Sequence, residues 1–440
     1  MKRVQRHRSP SVINSSPKNN LQKSSVGIIN LGCARNLTDS QIILGRLKKN
    51  GYPIVDIKNA EVAIVNTCSF IKEAKEESID VILDLIELKK QGKIKKIIVA
   101  GCLSQRYPHE LIADFKEIDA ITGVLSLERD EACPQVILTP KHFAYVKISE
   151  SCFNPCSFCT IPKIKGKFCS RTIESIVKEV TFLDSKGVKE ISIIGQDITA
   201  YGMDIYKKKS LSRLLKEIVS VTKNIRWVRL LYAFPAHVDD ELIGCIADEK
   251  KICRYLDMPL QHISDGILKR MNRHSTKQQT VTLVKKLREK IPDISLRTTF
   301  IVGFPGETDE NFQELLDFSL QFPFEHVGVF PYSHEEGTAA YDFKDQVPET
   351  VKRKRLNLLM RQQQEISRNL QKKFLGKKLE VLIDEKQKGE ENIYLGRTQY
   401  QAPEVDGLVY VHTKRTLSIG DFVPVEINDT YEYDLVAKAL

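Results

Sequence analysis

No apolar run in this chain approaches the roughly 18 residues that a membrane-spanning helix requires. The N-terminus has no apolar segment of the secretory kind either. Both absences point away from membrane and export, so a cytoplasmic location is the default expectation. Acid is missing from residues 1–25, which hold six Lys or Arg, several Ser and few apolar side chains. Such a stretch cannot bury enough surface to fold, and residues 1–24 are expected to be a basic disordered tail. It shows no clear amphipathic face, which argues against an organelle transit peptide. A reducing compartment disfavours structural disulfides, so the ten cysteines read first as metal ligands or reactive thiols.

A net charge of +10 invites a nucleic-acid reading, so its location matters. The tail contributes +6, whereas residues 376–440, with eight basic and twelve acidic side chains, carry −4. The two ends differ in sign.

From Val26 onward, short β-branched runs alternate with helical stretches, the pattern of a parallel sheet covered by helices. VGIIN (26–30), VAIVN (62–66) and KIIVA (96–100) are expected strands, and a helix is expected from near Asp39. Cys33, Cys68 and Cys102 each fall just past a strand's C-terminal end. In open α/β sheets that edge collects ligands, so three thiols distant in sequence are expected to converge. A second series, FAYVKIS (143–149), EISIIG (190–195), WVRLLY (227–232), YLDMP (255–259), RTTFIV (297–302) and HVGVF (326–330), predicts a six-unit partial (β/α) barrel. After a long charged helix (about 349–375), LEVLID, LVYVHT and FVPVEIN, punctuated by Gly389, Gly407 and Gly420, predict a small antiparallel β-barrel.

ESCFNPCSFCTIP spaces Cys152, Cys156 and Cys159 as C-x3-C-x2-C directly after the first barrel strand. Three thiolates on such a loop can bind three corners of a 4Fe-4S cube and leave one iron open. An open iron can chelate the amino and carboxylate groups of S-adenosylmethionine, whose sulfonium is then cleaved by one electron to a 5'-deoxyadenosyl radical. A structural zinc site would want a fourth Cys or His at matching spacing, and none is present.

These motifs resemble the radical S-adenosylmethionine superfamily, and within it the methylthiotransferases, from about Val26 to the C-terminus. LGCARNLTDS, VNTCSF and AGCLSQ are similar to that family's three first-domain motifs. The resemblance implies a second, auxiliary 4Fe-4S cluster on Cys33, Cys68 and Cys102, with an open site for the sulfur to be transferred. It also implies an N-terminal methylthiotransferase domain (25–136), a radical core (138–369) and a TRAM β-barrel (372–440).

GFPGE (Gly303 to Glu307) follows a strand, and in the superfamily a glycine-containing strand end at this place approaches the cofactor's adenosine. Phe158, Gln196, Asp197, Arg229, Gln261 and His262 lie near predicted strand ends or in the cluster loop and are further candidate contacts; Phe158, Gln196, Arg229, Gly303 and Glu307 form the S-adenosylmethionine set. Cys133, Cys169, Cys245 and Cys253 are expected to be ordinary buried thiols. Cys169, in GKFCSR, stands where relatives commonly carry Arg.

Two branches of the family modify an adenosine of tRNA or an aspartate of ribosomal protein uS12. NTCSFIKEAKEESID, GCLSQRY, WVRLLYAFP, YLDMPLQHISD and LKRMNR look like the second branch. A tRNA-gripping barrel should be basic, whereas the acidic barrel here suits a basic protein partner. The implied reaction replaces a hydrogen on the aspartate β-carbon with a methylthio group, using two S-adenosylmethionine per turnover and an electron donor such as flavodoxin or ferredoxin. The cofactors carry this chemistry, and no protein acid or base is required. The alternatives are a tRNA adenosine methylthiotransferase, or a zinc-stabilised RNA-binding protein that would purify colourless.

Overall fold

Strands β1 (Val26–Asn30), β2 (Val62–Thr67) and β3 (Lys96–Gly101) form where the β-branched runs predicted them. A short β4 (Ala120–Ile121) completes a parallel sheet in the order β1-β2-β3-β4. The computed structural model describes residues 23–124 and 136–440; most of the basic tail and Cys133 lie outside them. Parallel sheets need cover on both faces. The helix Lys72–Lys90 packs Ile82, Leu85 and Ile86 against Ala63, Val65 and Val99 on one side. On the other, the helix Ala34–Lys49 sets Ile43 and Leu47 against Ile28, Ile64 and Ala100.

That helix starts at once after Cys33, not near Asp39. Asp39 lies in its interior and is buried, where it pairs with Lys147 and with Lys165, whose Nζ is 3.1 Å away. A buried carboxylate needs such partners, and these cations belong to the next domain. Glu150 completes the cluster, 2.6 Å from Lys147 and 3.4 Å from Lys165.

The second sheet begins with β5 (Phe143–Lys147). After a two-strand excursion, β6 (Ser149–Glu150) with β7 (Cys169–Ser170), it continues through β8 (Glu190–Ile194), β9 (Trp227–Leu230), β10 (Ile252–Asp257), β11 (Ser295–Val302) and β12 (His326–Pro331). All five neighbour pairs are parallel, in the order β5-β8-β9-β10-β11-β12, with β5 and β12 as free edges: the expected six-unit partial barrel. Val146, Ile193, Leu230, Leu256 and Phe300 face the helices, where Leu215, Ile246, Leu287 and Leu315 cover them. Each such side chain, fully buried, contributes on the order of 1.5–3 kcal/mol. The opposite face presents Tyr145, Trp227 and Tyr255 to the C-terminal domain.

After the helix Glu349–Gln371, strands β13 (Lys378–Lys386), β14 (Ile393–Arg397), β15 (Val409–His412), β16 (Phe422–Thr430) and β17 (Leu435–Ala439) close a barrel in the order β13-β14-β15-β17-β16. One pair, β15 with β17, is parallel, which corrects the wholly antiparallel expectation. Strand directions cannot alternate all the way around a closed ring of five. No helix among the described residues is long and apolar enough to cross a membrane.

The barrel docks on the inner face of the core through buried charges. Glu190 of β8 receives Arg229 Nε at 2.7 Å and Arg397 Nη1 at 2.6 Å; Arg397 also reaches Asp384 at 2.8 Å. Asp406 accepts from Arg297 and from the Tyr255 hydroxyl, each at 2.7 Å.

Candidate active site

Cys33, Cys68 and Cys102 stand at three adjacent strand ends, and the backbone there is built for close approach. Gly32 and Gly101 have φ of +83° and +97°. A Cβ on Gly32 would meet the Cβ of Cys68 at 2.8 Å, and one on Gly101 would meet the Thr67 carbonyl at 2.6 Å. Asn36 knits the ends together: its Nδ2 donates to the carbonyls of Leu31 and Thr67, both at 3.0 Å, and its Oδ1 lies 3.8 Å from the Cys102 sulfur. Burial pushes the Cys68 thiol up and that of Cys102 up to about 12. At Cys33 burial acts in the same sense but is outweighed by the Arg35 charge and nearby donors, which hold the thiol below its usual value.

The second trio sits on the loop after β5 and β6. Ser151, just before Cys152, is held at φ +62°, a sparsely populated conformation for a non-glycine residue. Tyr232 (φ +68°) and Gln261 (φ +74°), at other strand ends of the same sheet, share it. Asn154 aims both its backbone N and its Nδ2 at the Cys152 sulfur, each 3.3 Å away. Its amide is fixed by Asp197 at 2.9 Å, which His237 Nδ1 also contacts at 2.8 Å. Burial opposes the Asp197 charge, yet His237, Thr199 and Asn154 hold its carboxyl below the ordinary range. Arg273 places Nη1 3.8 Å from the Cys156 sulfur, donates Nη2 to the Pro259 carbonyl at 2.6 Å and stacks 4.0 Å over Phe234. Burial raises Cys152 to about 11 and Cys159 to about 12.

The strand ends that carry the two trios meet. The first turn of the helix Ala34–Lys49 packs Ala34 and Leu37 against Ile194, Leu231 and Tyr232, so the strand ends of the first sheet abut those of the core.

The other sequence candidates separate into groups. Phe158 lies edge-on to Phe304, 6.4 Å between centroids, which ties the loop of Cys152, Cys156 and Cys159 to the GFPGE turn. Gln196 follows the end of β8 and is half-buried. Asp197 orients Asn154 as described. Gln261 bridges through its backbone to β11, and His262 is buried with Nδ1 accepting from the Ser264 N–H.

Two candidates are occupied by the fold. Arg229 points into the domain interface, where Glu190 and the Gln399 carbonyl, 2.7 Å from its Nη1, take its donors. The Glu307 carboxylate is folded back under its own turn: it accepts the Gly303 N–H at 2.8 Å and the Phe304 N–H at 3.3 Å, and meets Arg355 at 2.9 Å. Its side chain supports Gly303 from beneath. Cys245 and Cys253 are buried as expected, whereas Cys169 is exposed, because the two-residue strand β7 turns it outward and Ser170 inward. Asn154, Arg273 and Arg35 were not singled out in the sequence, although an Asn inside a C-x3-C loop is a short-range donor to sulfur that spacing alone could have flagged.

Among the described residues no three Cys, His, Asp or Glu side chains converge tightly enough to grip a single metal ion. A cube takes each thiolate on a separate iron, so three cysteines without a fourth Cys or His at matching spacing suit it better than zinc. The donor set and the glycine cradles fit two such cubes.

Residues 25–123 match the uncharacterized protein family UPF0004, residues 146–319 the radical SAM superfamily and residues 375–440 the TRAM domain. Fold and site together define a radical S-adenosylmethionine enzyme of the methylthiotransferase class, which uses S-adenosylmethionine and 4Fe-4S clusters. Among solved structures, the radical S-adenosylmethionine methyltransferase TsrM from Kitasatospora setae shares the fold, with a TM-score of 0.53 at 14% identity over 70% of this chain and 73% of that one. Over 94% of its length the chain is 44% identical to the ribosomal protein uS12 methylthiotransferase RimO of Desulforamulus reducens, covering 99% of that protein. It is 47% identical, over the same shares, to that of Caldanaerobacter subterraneus subsp. tengcongensis. The chain belongs to the ribosomal protein uS12 methylthiotransferase RimO family.

Proposed function

We propose that this enzyme replaces a hydrogen on the β-carbon of an aspartate of ribosomal protein uS12 with a methylthio group. The observation that carries this reading is the identity of 44–47% with relatives of that name over 94% of the chain, all three units included. In this reading residues 25–136 hold the auxiliary cluster on Cys33, Cys68 and Cys102, residues 138–369 hold the radical cluster on Cys152, Cys156 and Cys159, and residues 372–440 form the docking barrel. When bound, the clusters and two S-adenosylmethionine per turnover would supply the methyl group, the open site for the sulfur to be transferred, and the radical that a weakly acidic C–H bond demands.

The protein's own side chains bind and orient. Asn154 and Arg273 direct N–H groups at the sulfurs of Cys152 and Cys156, and such donors tune a cluster. Phe158, Gln196 and the Gly303 turn would hold S-adenosylmethionine, with Glu307 bracing the turn and Arg229 bracing the barrel from behind. A low-potential carrier such as flavodoxin or ferredoxin delivers the electrons, and the reaction takes place in the cytoplasm.

The barrel's acidity supports a basic partner less than its net charge implied. Asp406 pairs with Arg297, Asp384 with His142, Glu380 with Arg226 and Glu432 with Arg368, so much of the acid excess meets the basic core of the same chain. Incubating the reconstituted enzyme with S-adenosylmethionine, reductant, sulfide and uS12, free or within the small subunit, should add one methylthio mass to a single aspartate. Modification of tRNA alone would overturn the reading.

A further inference from the structure

Arg35 is two residues past Cys33, yet its side chain leaves the first domain. Its Nη1 donates to the Gly195 carbonyl at the end of β8 at 2.9 Å, and its guanidinium lies 4.4 Å over the ring of Tyr232. Tyr232 is in turn fixed by its N–H on Asp257, 3.0 Å away. The Nε of Arg35 is buried and has no hydrogen-bond partner among the described residues. Other cations near the cysteines serve one side: Arg273 touches Cys156 of the core, and Lys165, near Cys102, is paired with Asp39 and Glu150.

We propose that Arg35 is a positioning residue shared by both cluster sites: its guanidinium, held between the Cys33 turn and the Gly195 strand end, supplies a fixed positive charge that both clusters feel. This rests on the assignment of the two cysteine trios to clusters. A reduced cluster carries one more negative charge than an oxidised one, and a cation nearby in a poorly solvated crevice favours the reduced form. Arg35 thus eases electron entry at both sites, while its bond to Gly195 sets the distance between them. Arg suits this place better than Lys because one planar fork can stack on Tyr232 and donate at once.

The test is an EPR-monitored redox titration of the reconstituted full-length holoenzyme, its iron and sulfide counted first. About eight of each per chain support the two-cluster reading itself, so a failure there is seen separately. Arg35→Gln is expected to move both potentials negative, Arg35→Lys to move them less, and Arg273→Gln to move only the radical cluster. Potentials unchanged in Arg35→Gln, or a shift at one cluster alone, would overturn the proposal. An Arg35 that merely held the domains together would leave the potentials of intact clusters in place. Should Arg35→Gln take up less iron, the substitution is repeated in a chain carrying Cys33→Ala, Cys68→Ala and Cys102→Ala, which holds only the radical cluster. The reciprocal chain, with Cys152→Ala, Cys156→Ala and Cys159→Ala, reports on the auxiliary cluster in the same way; negative shifts in both chains uphold the proposal and an unchanged potential in either defeats it.

Discussion

Glu307 shows how a single carboxyl can be structural in the middle of a crevice. Its side chain is fully enclosed, and burial raises its pKa to about 7, although Arg355 and the Gly303 and Phe304 N–H groups pull the other way. An acid whose folded pKa lies above its unfolded value contributes most to stability below the unfolded pKa. That contribution fades as pH rises through the folded one. For Glu307 the window runs from about pH 4.5 to about pH 7, and a shift of this size is worth on the order of 3 kcal/mol. Glu307→Gln cannot ionise. Relative to the parent it should therefore gain stability on going from pH 5 to pH 8, by up to about 3 kcal/mol. Urea denaturation at the two pH values measures this directly, and parallel pH profiles for the two proteins would show that the carboxyl is ionised throughout.

Strand ends are the elements that make the site, and their glycines are its least replaceable parts. Gly101 has φ +97°, and an added Cβ there would sit 2.6 Å from the Thr67 carbonyl. Gly101→Ala should cost about 2 kcal/mol or more through strain and overlap. Because the displaced atoms border Cys68 and Cys102, iron should fall to about half of the parent's while the radical cluster's EPR signal persists. Much of this was legible beforehand, because β-branched runs ending in a cysteine mark both the strand and its functional end, as at VNTCSF and AGCLSQ. What escaped has physical reasons. β4 spans two residues, too few for any periodicity. β14 (IYLGR) and β17 (LVAKA) are short and carry a Gly or Ala where a strand pattern wants bulk. The helix after Cys33 starts with ARNLTDS, whose polar residues put the expected helix start near Asp39, yet Asn36, Asp39 and Ser40 all lie in the helix and are buried because they bond to neighbouring strand ends and to the core. Arg229 escaped differently: a strand position reveals an end, but not which face a long side chain takes when a later domain brings the matching carboxylate.

At the scale of the whole molecule, the C-terminal barrel and the core are joined by charges that neither could bury alone. Arg397 is almost wholly enclosed, with Nη1 2.6 Å from Glu190 and with Nε and Nη2 2.8 and 2.9 Å from Asp384. Burial opposes ionisation of Glu190, but Arg397 and Arg229 hold its carboxyl below the ordinary range; at Asp384, His142 and Arg397 do the same. Breaking such a pair from one side costs about 3–5 kcal/mol, because the partner is left charged and unsolvated. Arg397→Met should therefore loosen the barrel before the core. Limited proteolysis is expected to cut near the Lys372–Phe374 turn between them, while the protein's iron is retained. Adding Glu190→Gln removes one of the stranded charges, so the double variant should lose less stability than the sum of the two single ones. If the losses simply add, Arg397 and Glu190 act independently and the barrel is held by its apolar contacts, Leu382 and Phe422 against Trp227 and Tyr255. Less than full additivity instead identifies the charge network as the joint. Since Glu190 and Asp384 have depressed pKa values, their stabilisation is present above about pH 4 and disappears as pH falls through the folded values below that, so acid below about pH 4 should release the barrel in the same way as Arg397→Met.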